Sequence, residues 1–212
     1  KAAASREEVV GRISDMEDYE RRATNLAARL NREVIASRMR PFSDGVHGFR
    51  RMVRDVAKSL EKDINFEVHG LATQVDRDIL EQIEAPLSHV LRNAIDHGIE
   101  MPDDREAAGK PRQATIRLEA LHASGMLSIS VSDDGCGIDV ENIRKKILDR
   151  KLASEEMTDT MTKSELLDFL FLPSFSTKEQ VTEISGRGVG LDVVHSAMQE
   201  MRGSVRITTK ID

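Results

Sequence analysis

The stretch ATIRLEALHASGMLSISVSDDGCGID, residues 114–139, decides the fold. Ala114–Ala120 and Met126–Val131 alternate apolar and polar residues with a period of two, the pattern of strands covered on one face only. Ala123-Ser124-Gly125 between them reads as a hairpin turn. Upstream, Ile64–Val68 alternates in the same way, and downstream Ser204–Thr208 reads as a further strand. Helical periodicity fills the rest: Val46–Leu60, Asp76–Gly98, Val140–Lys151, a short piece near Lys163–Phe171, and Val189–Met201. Pro86 inside the second of these predicts a restart or a kink. The strands come in pairs and not one between every two helices. That predicts an α+β fold, a two-layer sandwich of a mixed sheet with helices on one face.

The N-terminal part reads differently. Residues 6–39 hold no Pro, and Val9, Ile13, Met16, Ala23, Leu26, Leu30 and Val34 recur mostly at steps of three and four. This is one apolar stripe on a long helix, which needs another helix to cover it. Pro41 ends it, because the residue before proline avoids the helical region. Two parts are therefore expected, a helical arm over 1–40 and a domain over 41–212.

Composition excludes several classes. The 212 residues carry 31 Lys+Arg against 37 Asp+Glu, a net charge of -6, which argues against broad nucleic-acid binding. Aromatics are 3% with no Trp, so stacking platforms for bases are not expected. The single Cys136 excludes a disulfide framework or a multi-cysteine zinc site and fits a reducing, cytoplasmic compartment. No apolar run approaches the ~20 residues of a membrane span, so no direct membrane insertion is expected.

Three segments carry chemistry. In His89-Val-Leu-Arg-Asn93-Ala-Ile-Asp96-His97-Gly98, positions 89, 93, 96 and 97 share one side of a helix, with Leu87, Leu91, Ala94 and Ile95 on the other. A solvated face would favour Lys and Glu. Here an Asn carbonyl suits magnesium, and a neighbouring His can act as base, ligand or donor. A plain polar helix edge with satisfied histidines fits the segment equally well. In Ser132–Ile138, a carboxylate at a strand end precedes two glycines one residue apart, which lets a ligand ring lie against bare backbone. The same D-x-G-x-G also describes many tight turns. In Gly186-Arg187-Gly188-Val189-Gly190-Leu191-Asp192, alternate glycines open a helix and resemble a phosphate cradle, or a flexible loop with a tight helix entry. Neither the dinucleotide fingerprint nor the Walker pattern is present.

In this order the three segments resemble the N box, D-x-G-x-G box and G-x-G-x-G box of the GHKL ATP-binding family, which includes histidine kinases, gyrase and MutL. The similarity is greater still to kinases of the chemotaxis CheA type. It is carried by LRNAIDHGIE (91–100), SDDGCGID (132–139), FLPSFSTKEQVTEISGRGVGLDVV (171–194) and RPFSDGVHGFRRMVRDVAKSLEK (40–62). The resemblance implies a Bergerat-type fold and transfer of the γ-phosphoryl of Mg-ATP to a histidine on a separate phosphotransfer domain, which then serves a response regulator. It implies that Asn93 binds magnesium, that His89 is a second magnesium contact or the base toward the incoming histidine, and that Asp96 and His97 complete the face. Asp133 would accept the adenine amino group, with Gly135 and Gly137 leaving room for the ring and Lys146 near the phosphates. A lid would span roughly 152–190, with Ser176 and Thr177 in its structured part. Gly186, Arg187, Gly188, Val189, Gly190 and Leu191 would form its hinge and nucleotide contacts. The arm would be part of a dimerisation hairpin supporting a homodimer, within a receptor and adaptor complex. Ser174 and Asn142 depart from the family's usual Gly and its usual Lys or Arg. Two other readings remain at this level: a non-catalytic nucleotide-binding dimeric scaffold, and a clamp ATPase.

Of the six histidines, His89 and His97 belong to the site, and His69 and His122 fall at strand ends. His47 and His195 lie on helices but lack the H-x-x-K-G setting of this subfamily's phosphoacceptors. The isolated chain is therefore expected not to label itself with γ-labelled ATP, and to label an added histidine phosphotransfer domain of its own system. Strong acid-labile self-labelling would contradict this and make His47 or His195 the residue to mutate first.

Overall fold

The computed structural model describes residues 2–173, 175 and 190–210. It divides into two compact units, Lys1–Arg40 and Pro41–Asp212. The first is a single helix, α1 (Ala2–Arg38), with Arg21–Asp18 and Arg29–Glu33 pairs at 2.8 and 3.1 Å along its surface. Its stripe is open to solvent: Ile13, Met16, Leu26, Leu30 and Val34 are all exposed.

The second unit is built on a three-stranded sheet of β1 (Ile64–His69), β2 (Ala114–Ala123) and β3 (Met126–Asp133), with β2 in the centre. β1 runs parallel to β2 from Ile64 opposite Ala114, and β3 runs antiparallel to it from Ile116 opposite Asp133. The sheet is thus mixed. Ala114, Ile116, Leu118 and Ala120 point into the core while residues between them are less buried, so helices cover one face, as the alternation predicts. The β2–β3 turn is the pair Ser124-Gly125 with φ of 52° and 79°, both left-handed, which matches the twist of a two-residue hairpin.

The covering helices are α2 (Phe49–Ser59) and α3 (Arg77–Asn93). The run expected over Val46–Leu60 is broken at His47-Gly48, with a separate turn of helix at Ser43–Val46. Val46 and Phe49 thereby both reach the core. Asp76 caps α3, accepting from the Asp78 N–H at 2.9 Å. α3 passes through Pro86 without a restart. It does change character beyond Asn93: Ala94–Gly98 is a π-turn, closed by the Ile99 N–H donating to the Ala94 carbonyl at 2.9 Å. Lys62 Nζ donates to the Ile95 and Asp96 carbonyls at 2.7 and 2.9 Å, satisfying groups that the wider turn frees. α4 (Pro102–Ala107) follows.

A second apolar cluster, Ile143, Ile147, Leu166, Leu167, Leu170 and Phe175, joins α5 (Val140–Asp149) to α7 (Lys163–Asp168), with α6 (Glu155–Thr160) between them in sequence. Residues 155–160 and 163–171, inside the span expected as a lid, are helical and contribute buried side chains. α8 (Asp192–Glu200) follows. The expected strand Ser204–Thr208 does not form. Val205 and Ile207 are half-buried between exposed neighbours, so the chain is extended, but it joins no ladder among the described residues. It is held by other bonds: Ile207 packs on the second cluster and Thr209 Oγ1 accepts from the Ile138 N–H at 2.8 Å.

Gly70 and Gly109 have φ of +72° and +77°, but a Cβ at Gly70 would collide with the Ala120 carbonyl and one at Gly109 meets nothing within 4 Å. Gly109→Ala should cost about 1 kcal/mol of backbone strain. Gly70→Ala should cost clearly more, since sheet backbone must move, and each further kcal/mol lowers Tm by roughly 2–4 °C. Equal melting temperatures for the two variants would contradict the close approach at Gly70.

Candidate functional site

His89 and Asn93 lie one turn apart at the end of α3, where Asn93 Nδ2 donates to His89 Nε2 at 3.0 Å. Burial holds the His89 imidazole below its usual pKa, with Arg92 adding to this, while the Asp192 charge and the Gly190 backbone oppose it. The first and third motifs meet here, through residues 89–93 and 190–192. With the Asn93 amide as donor, His89 Nε2 is the acceptor of their bond. A magnesium contact from His89 Nε2 therefore requires this bond to be given up. The Asn93 carbonyl oxygen has no partner among the described residues.

Asp96 and His97 fall in the π-turn and pair with each other at 3.4 Å. The extra residue of that turn advances the chain so that Gly98 arrives beside the D-x-G-x-G segment. There the Cys136 N–H donates to the Gly98 carbonyl at 2.9 Å, and a Cβ on Gly135 would overlap that same carbonyl. A Cβ on Gly98 would stand 3.3 Å from Asp133 Oδ1. The Gly135 N–H donates to Asp133 Oδ1 at 3.0 Å, folding the turn around the carboxylate that ends β3. Burial pushes the Asp133 carboxyl up from its ordinary value, and the Asp134 and Glu100 charges add to this. The Gly135 N–H and Lys110 counteract it. Gly137, at φ +71°, packs against the Lys210 carbonyl. In this structure the two glycines are required by backbone approaching backbone.

Behind this turn stands a group that sequence reasoning missed. Arg105, 1% exposed, donates from Nε to the Pro111 carbonyl at 2.8 Å, and from Nη1 to Glu100 Oε2 and the Asp134 carbonyl, both at 3.0 Å. Its Nη2 sits 3.0 Å from Asp134 Oδ2 as an ion pair, without hydrogen-bond alignment. Lys110 Nζ donates to Glu100 Oε1 and the Gly135 carbonyl, both at 2.9 Å. Burial alone would raise the Glu100 carboxyl, but its bonds to Lys110 and Arg105 outweigh burial and hold it below the usual range. The available signal was the spacing of Glu100, Arg105 and Lys110 around Pro102 and Gly109, right after the first motif.

Lys146 is half-buried on α5, and Leu191 packs on the second cluster ahead of α8. Ser174, Ser176, Thr177, Gly186, Arg187, Gly188 and Val189 lie outside the described residues. Among the described residues no group of three or more His, Cys, Asp or Glu side chains can hold a metal ion by itself. No described helix is long and apolar enough to cross a membrane.

Comparison with known proteins bears on what this arrangement serves. Residues 82–212 match the family described as histidine kinase-, DNA gyrase B- and HSP90-like ATPase. The chain is 38% identical over 186 residues to the chemotaxis protein CheA of Bacillus subtilis, covering 88% of this chain and 28% of that protein. It is 42% identical over 182 residues to CheA of Halobacterium salinarum, covering 86% and 27%. It is 41% identical over 198 residues to CheA of Salmonella typhimurium, covering 93% and 28%. The chain thus spans less than a third of the length of these relatives.

If Asp133 accepts a nucleobase amine, Asp133→Ala should weaken adenine-nucleotide binding about ten- to a hundredfold, the worth of one charge-assisted bond. The raised pKa gives the pH sign: protonation removes the acceptor, and it begins at a higher pH than for an ordinary Asp. Affinity should therefore fall as pH drops through the region above the ordinary value of 3.8. Asp133→Asn keeps a carbonyl acceptor and should lose that limb. Calorimetry across pH checks both, and equal affinity in the wild type and Asp133→Ala would place the base elsewhere.

Proposed function

We propose, from the premise that this chain belongs to the histidine kinase-, DNA gyrase B- and HSP90-like ATPase family, that it is the ATP-binding core of a chemotaxis-type protein-histidine kinase. It transfers the γ-phosphoryl of ATP to a histidine on a separate phosphotransfer domain, from which a response regulator is served. The observation that carries this reading is the junction at Gly98. It brings the Asp133 turn, suited to an adenine amine, against the end of the helix that carries His89 and Asn93. Identities of 38–42% to chemotaxis CheA proteins support the kinase subfamily.

The residues divide the work. Asp133 accepts the exocyclic amine, and its turn, braced by Arg105 and Lys110, fixes where the base sits. Asn93 offers an unpartnered carbonyl oxygen, a hard donor suited to magnesium, and the scarcity of carboxylates around it fits an ion held largely by phosphates and water. Magnesium bound there would neutralise phosphate charge during transfer. His89, kept neutral by burial, faces the same place. Its Nε2 becomes a free acceptor toward an incoming imidazole N–H once the Asn93 amide turns away. Gly190 and Leu191 belong to the segment that would close over the phosphates and exclude water. The exposed stripe of α1 is the dimerisation surface in this reading, with receptor and adaptor proteins completing the signalling complex.

Asn93→Ala and Asn93→Asp should each abolish phosphotransfer while leaving the melting temperature within about 2 °C, since a half-buried polar change near the surface costs little stability. The assay is transfer to the phosphotransfer domain at saturating Mg-ATP. A near-normal rate in either variant would sink the assignment.

A further inference from the structure

Outside the nucleotide cradle, a cleft of about 440 Å³ lies between α2 and the end of α3. Met52 and Val56 give it an apolar floor, and Arg51, Asp55, Ser59 and Arg92 surround them. Of these residues only Arg92 bears on the site described above, through its charge on His89. The charge here runs against the rest of the chain. α2 carries Arg50, Arg51, Arg54 and Lys58 with Asp55 as its single acid, in a protein of net charge -6. Asp55 is shared, 3.5 Å from Arg51 and 3.4 Å from Arg54, and all three side chains are largely exposed. Arg92 is half-buried, and among the described residues no carboxylate pairs with it. A guanidinium partly removed from water without a counter-ion is a costly arrangement, and its planar fork suits a carboxylate.

Position adds the rest. Arg92 immediately precedes Asn93 and follows His89 by three residues on α3. The cleft and the metal-facing side of the helix are therefore parts of the same turn. An object seated in the cleft therefore lies next to the turn that carries His89 and Asn93.

Resting on the kinase reading, we propose that this cleft docks the phosphoacceptor domain, through an acidic helical surface that carries its acceptor histidine nearby. An apolar floor flanked by two helices receives the ridge of a third helix. The arginines select acidic side chains and speed encounter with them. The nucleotide cradle then needs to contact only the acceptor imidazole itself.

The test uses Arg51→Glu, Arg92→Glu, the double reversal, and the double Arg→Lys variant, in the full chain. Three quantities are read: the KM for the histidine phosphotransfer domain of its own system, kcat, and Mg-ATP affinity by calorimetry. The double reversal should raise the acceptor KM about tenfold, with ATP affinity within about twofold of wild type, because rim charges act on encounter and salt dependence. The double Lys variant should retain most of the wild-type KM, and the wild-type KM should rise with salt more steeply than that of the double reversal. Arg92 also acts on the charge of His89. A role through His89 alone would appear in kcat for Arg92→Glu and leave the acceptor KM of Arg51→Glu untouched, which overturns docking. So would an unchanged acceptor KM in the double reversal. A parallel loss of ATP affinity would assign the cleft to a nucleotide anion. A change in sedimentation without a change in KM would assign it to a second copy of this chain. A wild-type protein that binds ATP but transfers to no acceptor overturns the kinase reading first, and the docking with it.

Discussion

The backbone contact between Gly98 and the Gly135-Cys136 peptide is the constraint on which the site depends. A carbonyl at the end of one helix meets an N–H in the turn after the last strand, at 2.9 Å, and side chains on Gly98 and Gly135 would stand in the way. Two elements far apart in sequence are thereby fixed at a main-chain distance, which no pair of flexible side chains would hold as tightly. The π-turn makes the contact reachable. A regular α-helix through Ala94–Gly98 would deliver Gly98 at another height and angle, and the wider turn is stabilised where it needs help, by Lys62 on two freed carbonyls. Single π-turns of this kind recur at functional sites because they shift the residues beyond them without ending the helix.

The Arg105 group acts on the same junction from behind. An arginine at 1% exposure costs several kcal/mol of lost hydration, and an ion pair around it does little more than offset that loss. As a stability device an apolar residue of equal size would serve as well. What an apolar residue lacks is direction. Arg105 and Lys110 grip the carbonyls of Asp134 and Gly135 and tie them to Glu100, one residue beyond the π-turn and its closing Ile99. The turn around Asp133 is thus located by bonds to its main chain on one side and by the Gly98 contact on the other. A carboxylate whose ionised form is disfavoured by burial is thereby held in one orientation, with the Gly135 N–H on its Oδ1.

Periodicity made the centre of the molecule legible and its joints illegible. β2 and β3 follow from alternation because one face is covered and the other is not, and the turn follows from Ser124-Gly125. α3 follows from its apolar spacing. The π-turn leaves no mark in that spacing: Leu91 and Ile95 remain buried at a helical interval, and the inserted residue is absorbed after them. The segment Ser204–Thr208 shows the reverse failure. Its alternation is real and appears in its burial, but a strand also needs an edge to bond to, which a one-dimensional pattern does not contain. Of the site, His89, Asn93 and Asp133 were readable because polar types stand where a solvated or buried face would use others. Arg105 and Lys110 were not, because a charged residue beside a motif looks like surface until its burial is known.

The two apolar clusters set how the site can respond to a ligand. His89, Asn93 and the Asp133 turn are attached to the first cluster, through Leu91, Ile95 and Ile116. α5, α7 and Leu191 belong to the second. Among the described residues α8 lies between them: it packs on α3, and its His195 stacks on Phe171 at 5.3 Å. A well-packed cluster resists deformation, whereas a handful of polar and ring contacts can be exchanged for others of similar strength. The Asp133 turn is therefore held with the sheet. Asp192, which opens α8, acts on the charge of the His89 ring, so the ionisation of His89 and the position of that segment are linked.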